Sequence, residues 1–145
     1  LRRDLAMDLG ATAALDGNAD DINEQLAKLL PKGINKVFDT TGIASLIERF
    51  VQQLCPRGII GLVAAANADT AINLNVTQLV IGGITVKGIL EGDSLPDKFI
   101  PQLVEYYKAG KFPVGKISKT FPLSAINDAI VEQKASGFVK AVLVP

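Results

Sequence analysis

At 145 residues the chain is long enough for one domain that buries roughly 70% of its unfolded surface. Fifteen basic residues offset fifteen acidic ones, so there is no electrostatic basis for a nucleic-acid or anionic-membrane partner. Histidine is absent and cysteine occurs once, at Cys55, which excludes a histidine general base, a Ser-His triad and a zinc site built by this chain alone.

No uninterrupted apolar run approaches the eighteen or so residues that span a bilayer, and Leu1-Arg2-Arg3-Asp4 leads into no signal-peptide core. The chain reads as soluble. A single cysteine forms no internal disulfide and suits a reducing cytoplasm.

Leu1, Leu5 and Leu9 repeat at helical spacing up to Gly10, which predicts an opening helix with a glycine at its C-terminal end. No N-cap residue precedes Leu1, so the helix reads as cut. Thr12 to Leu15 is a strand candidate. Asp20 or Asp21 is placed to cap a helix carrying Ile22, Leu26, Leu29 and Leu30 on one face, ended by Pro31-Lys32-Gly33. A second strand is expected at Lys36-Val37-Phe38-Asp39. Leu46, Ile47, Phe50, Val51 and Leu54 then mark an amphipathic helix, stopped by Cys55-Pro56-Arg57-Gly58.

Ile59 to Ala65 is a continuous apolar strand, and a less regular stretch from Ala66 to Gly83 leads to another strand, Ile84 to Leu90. Ser94 with Asp97 has the spacing of a capping box for a helix whose stripe is Phe99, Ile100, Leu103, Val104 and Tyr107, up to Gly110. Ile117 to Phe121 reads as a strand. Ser124 is expected to cap a helix with Ile126, Ala129 and Ile130 that ends near Gly137, and Val139 to Val144 alternates as a last strand. Continuous apolar strands separated by amphipathic helices predict an α/β fold, a parallel sheet covered by helices on both faces.

Open parallel sheets bind ligands beyond the carboxyl ends of their strands. Three such ends are rich in small residues: Asp39-Thr40-Thr41-Gly42, Val63-Ala64-Ala65 and Ile89-Leu90-Glu91-Gly92. Small residues let a flat ligand reach backbone N–H and C=O groups; the competing reading is that Gly42 and Gly92 only serve turns. Glu91 and Asp93 could form a carboxylate pair, but Asp93 and Ser94 are residues favoured before a helix, and no third ligand is apparent. Cys55 reads as structural, because nothing nearby activates it. Tyr106 and Tyr107 read as packing residues. Neither a Gly-Lys-Ser/Thr phosphate loop nor a G-x-G-x-x-G between strand and helix is present, so the usual seat for a pyrophosphate at a helix N-terminus is missing.

The order and spacing of several strings resemble the zinc-containing medium-chain alcohol dehydrogenases, most closely the aryl or benzyl-alcohol branch. They are Leu5-Ala6-Met7-Asp8-Leu9-Gly10-Ala11-Thr12, Val37-Phe38-Asp39-Thr40-Thr41-Gly42, Pro56-Arg57-Gly58 with Gly61-Leu62-Val63, and Lys87-Gly88-Ile89-Leu90-Glu91-Gly92-Asp93-Ser94-Leu95-Pro96. Phe99-Ile100-Pro101 and Lys140-Ala141-Val142-Leu143 extend the match along the chain. The resemblance implies an incomplete NAD(P)-binding Rossmann domain over residues 1–115, starting in its second helix. Residues 116–145 would be the segment returning toward a catalytic domain. The first strand–glycine loop–helix unit, the acidic ribose-binding residue and the zinc site would lie upstream.

By the same resemblance no catalytic or metal-binding residue falls in this chain, and the expected contacts are to NAD or NADP. Arg2 would lie beside the adenosine ribose, Thr40 and Thr41 beside adenine, and Val63, Ala64 and Ala65 near the nicotinamide ribose. Ile89, Leu90 and Glu91 would hold the carboxamide through their backbone, and Lys140 would lie near the pyrophosphate. Ala64 departs from a glycine common at its position. The complete enzyme would exchange a hydride between NAD and an aromatic or related primary alcohol, or its aldehyde, as a homodimer joined through the strand from Ile84 to Leu90. The isolated chain is expected to be inactive. The alternatives are a non-catalytic dimerisation or binding module of Rossmann type, or another Rossmann enzyme such as a methyltransferase.

Overall fold

The computed structural model describes residues 2–135 and 139–145; the helix end expected near Gly137 and the first leucine of the opening stripe lie outside them. The chain divides into two compact units, one of Asp16–Ser94 and one of Leu1–Leu15 with Leu95–Pro145.

The unit Asp16–Ser94 holds α2 (Ile22–Leu29), β1 (Ile34–Asp39), α3 (Ala44–Gln52), β2 (Leu54–Leu62), α4 (Val76–Gly82) and β3 (Thr85–Gly88). The strands form one parallel sheet in the order β1-β2-β3. Each crossover carries a helix, as parallel neighbours require. Ile47 and Val51, four residues apart on α3, share one helix face and meet Ile60 of β2, which is wholly buried. Val37, Leu62 and Val86 pack on the same cluster, so alternate residues of all three strands line this face. Phe38, on the opposite pleat of β1, is 67% exposed.

The other unit holds α1 (Arg2–Asp8), α5 (Pro96–Lys108), β4 (Ser118–Pro122), α6 (Ile126–Ala135) and β5 (Lys140–Val144), with β4 and β5 paired in parallel. Among its described residues Phe121 and Ala129 are buried. The fold class is therefore α/β with parallel strands, a partial Rossmann-like arrangement.

Several local expectations are corrected. The segment 12–15 is not a strand; extended backbone becomes one only when a neighbour pairs with it, and among the described residues none does. Asp21 occupies the N-cap of α2, yet its carboxylate accepts from the Gln25 side-chain amide at 2.7 Å instead of from the helix backbone. Leu54 belongs to β2 and not to the preceding helix. Residues 55–58 do not stop an element but bulge inside β2. Ile34 pairs with Leu54 and Lys36 with Ile59, so four residues of β2 oppose one of β1. Arg57 takes φ 63° there, and a Cβ on Gly58 would lie 2.9 Å from the Cys55 carbonyl oxygen. The strand expected to run to Ala65 ends at Leu62, and the one expected over 84–90 spans Thr85–Gly88.

Helix α4 was not expected from sequence. Asn75 starts it by accepting from the Gln78 N–H at 3.0 Å, and Gly83 ends it at φ 60°. Ser94 does not cap α5: Leu95 is the N-cap, Pro96 presets the first turn, and the Ser94 hydroxyl donates to the Glu91 carbonyl at 2.9 Å. Ser124 lies within a 3₁₀ turn, Leu123–Ala125, and makes no capping bond. Tyr106 and Tyr107 are about half exposed, and no residue of α5 is fully buried, so the stripe read as packing is largely open.

Candidate functional site

Side-by-side parallel strands end on one edge, and the register sets Asp39 beside Leu62 and Leu62 beside Gly88. Residues 40–42, 63–65 and 89–91 therefore leave the sheet at a common edge. Two backbone bonds tie them together: the Val63 N–H donates to the Asp39 carbonyl at 3.1 Å and the Ile89 N–H to the Leu62 carbonyl at 2.9 Å. This convergence is the one expected from the sequence.

Asp39 closes the first segment. It is 8% exposed, and burial of a carboxylate opposes its ionisation. The Thr41 hydroxyl donates to Oδ1 at 2.6 Å, with the Thr41 N–H on the same oxygen at 3.1 Å, and the Gly42 N–H donates to Oδ2 at 3.0 Å. These donors outweigh the desolvation, and the Asp39 pKa falls below its ordinary value. The Thr41 hydroxyl also accepts from the Ile43 N–H at 3.2 Å. Of the two threonines expected beside a ligand, Thr41 thus has its hydroxyl committed to the turn, whereas Thr40 is exposed and its side chain makes no hydrogen bond among the described residues. Asp39 itself was read from sequence only as a strand end. The signal was available, because Asp followed by Thr-Thr-Gly is the composition of an Asx-turn.

The second segment touches the first. Gly42 has φ 65°, and a Cβ there would lie 3.3 Å from the Ala64 methyl and 3.2 Å from that of Ala66. The Ala64 methyl therefore packs against a glycine across the turn. The third segment leans on β2: a Cβ on Gly61 would fall 2.7 Å from Ile89 Cδ1. Leu90 beyond it is 81% exposed.

Glu91, Gly92 and Asp93 have φ 48°, 72° and 52°. Lys87 Nζ lies 2.5 Å from Asp93 Oδ2, and the Asp93 N–H donates to the Leu90 carbonyl at 2.8 Å. The Lys87 ammonium lowers the Asp93 pKa by its hydrogen bond and its charge. The Asp93 carboxylate is thus paired with a cation, not with Glu91. Arg2 and Lys140 lie in the other unit, Arg2 opening α1 and Lys140 opening β5, and both are exposed. Cys55 Sγ accepts from the Asn35 side-chain amide at 3.3 Å, a structural contact.

A polar cleft of about 280 Å³, lined by Glu48, Asn73, Asn75 and Gln78 among others, was not anticipated. Its polar groups face one another: Glu48 Oε1 accepts from the Asn73 N–H at 2.6 Å, and the Gln78 amide donates to the Val51 carbonyl at 3.4 Å. It fastens the chain before α4 onto α3.

Known proteins similar to this chain belong to one family. The profile of the zinc-binding dehydrogenases matches residues 1–108. Geraniol dehydrogenase of Castellaniella defragrans is 31% identical over 99% of this chain and 39% of its own length. The crystal structure of benzyl alcohol dehydrogenase from Acinetobacter calcoaceticus superposes with TM-score 0.89 at 30% identity, over 97% of this chain and 39% of the other. An alcohol dehydrogenase zinc-binding domain protein from Burkholderia ambifaria gives TM-score 0.90 at 33% identity, over 99% and 39%. The chain spans about two-fifths of the length of these relatives. The match over residues 1–108 and the 31% identity over nearly the whole chain make it a member of the zinc-binding dehydrogenase family.

Proposed function

We propose that this chain supplies part of the NAD(P)-binding half of a zinc-dependent alcohol dehydrogenase. Residues 1–115 would belong to the nucleotide-binding domain and 116–145 to the segment returning to the catalytic domain. The observation that carries the reading is the convergence of 40–42, 63–65 and 89–91 at the carboxyl edge of one parallel sheet, where such sheets bind ligands. When bound, the nicotinamide cofactor accepts or returns a hydride. This chain's own residues position it. Thr40 offers a hydroxyl and Gly42, Ala64 and Ala65 a low-relief wall, while Val63, Ile89, Leu90 and Glu91 contribute backbone groups. Thr41 acts by shaping its turn.

Zinc is held by cysteine, histidine and carboxylate, and one cysteine without histidine does not fit such a site. The substrate we favour is an aromatic or related primary alcohol, exchanged with its aldehyde in the cytoplasm; geraniol and benzyl alcohol, named in the similar enzymes, are both primary alcohols. A second copy would pair along β3, an edge strand of its sheet.

Titrating NAD at millimolar concentration into the ¹⁵N-labelled chain tests the reading. Shift changes confined to 40–42, 63–65 and 89–91 are expected. Changes centred on other residues of the sheet unit, or hydride transfer from benzyl alcohol by the purified chain alone, would overturn it.

A further inference from the structure

Three consecutive residues after β3 take positive φ, and only one of them is glycine. Glu91 and Asp93 carry side chains that disfavour this region, Glu91 the more so, because a short aspartate is better tolerated there. What holds them is a set of exposed links. The Lys87–Asp93 ion pair spans the turn, the Ser94 hydroxyl holds the Glu91 carbonyl, and the Asp93 N–H holds that of Leu90. Lys87 sits in the β2–β3 ladder opposite Gly61, so its end of the ion pair is fixed by the sheet. Exposed links exchange readily with water and add little net preference. A backbone that is costly at two side chains persists only while its surroundings hold it, so these links decide which conformation the triplet takes.

We propose that residues 91–93 form a two-state turn latched by Lys87. With the pair formed the triplet is left-handed. With it broken the triplet relaxes, and the Glu91 backbone leaves the orientation it holds after β3, while Ile89 stays bonded to Leu62. Lys87 is thus a positioning residue for that segment. The inference concerns the turn itself and stands apart from the cofactor reading.

The test is NMR on the ¹⁵N,¹³C-labelled chain, because a strong intraresidue Hα–amide NOE reports positive φ directly. Lys87→Met should reduce the left-handed population at Glu91 and Asp93 about threefold, equivalent to about 0.65 kcal/mol, and Lys87→Arg should restore it. Salt at about 1 M, where screening acts over about 3 Å, should move the wild-type chain in the same direction by less. That arm needs no variant, so it decides the matter even if Lys87→Met fails to fold. Unaltered NOEs at both residues in Lys87→Met, no response of the wild type to salt, or no rescue by arginine would overturn the latch.

Discussion

A nearly buried carboxylate is costly unless its lone pairs are filled, and Asp39 fills them from its own turn with one hydroxyl and two N–H groups. Asp39→Asn puts an amide where two oxygens accept, leaving either N–H facing N–H or an unmade bond. A loss of about 1–3 kcal/mol is expected, measured by urea unfolding at neutral pH. Because the folded pKa lies below the ordinary value of 3.8, the unfolded chain takes up the proton first. The contribution is full above about 4 and is lost as pH falls through the lower folded value. The Asn variant should therefore show a flatter acid limb than the wild type. The two neighbouring threonines should separate in the same assay. Thr41→Val removes a hydroxyl bonded on both sides and should cost about 1 kcal/mol, whereas Thr40→Val should stay within about 0.5 kcal/mol. Equal effects would mean that Thr41 does not hold the turn.

Among the elements, glycines decide how β1, β2 and the chain after β3 fit. Gly33 has φ 82°, and a Cβ there would lie 2.9 Å from the Cys55 amide nitrogen, a backbone atom that moves only if the start of the sheet moves. Gly33→Ala should cost at least about 2 kcal/mol by thermal unfolding. Gly61→Ala meets only the tip of Ile89, a side chain free to rotate, so it should cost less while shifting the amide resonances of 89–91. A larger loss at position 61 than at 33 would reverse this account. The same contrast explains what was legible in the sequence. Val37, Ile47, Val51 and Ile60 lie on buried faces, so their periodicity marked β1, α3 and β2. Helix α4 turns Val76, Val80 and Ile81 outward, 70–82% exposed, and leaves no stripe to read. The bulge at 55–58 hid because Pro56 and Gly58 look like an ending, yet pairing resumes at Ile59. The strand ends of the site were readable because small residues gather there; the inward role of Asp39 and Thr41 depends on a turn geometry that composition only hints at.

At the scale of the whole molecule the notable feature is how much apolar surface faces outward. β3 is an edge strand of its sheet among the described residues; α4, which leads into it, exposes Val76, Val80 and Ile81, and Leu90 is 81% exposed beyond the strand. Exposed apolar side chains on the helix that leads into an edge strand suit association with a second copy, and a two-fold pairing makes such a surface complementary to itself. If a second copy covers it, a charge placed there should separate the copies without unfolding either. Ile81→Asp suits the purpose because Ile81 is 82% exposed and contributes nothing to the cluster of Ile47, Val51 and Ile60. The expected outcome in sedimentation is a dimer for the parent chain and a monomer for the variant. Because the aspartate is desolvated only in the paired state, its monomer should keep an unaltered circular dichroism spectrum. A monomeric parent chain, or a variant that remains dimeric, would leave that surface to some other neighbour.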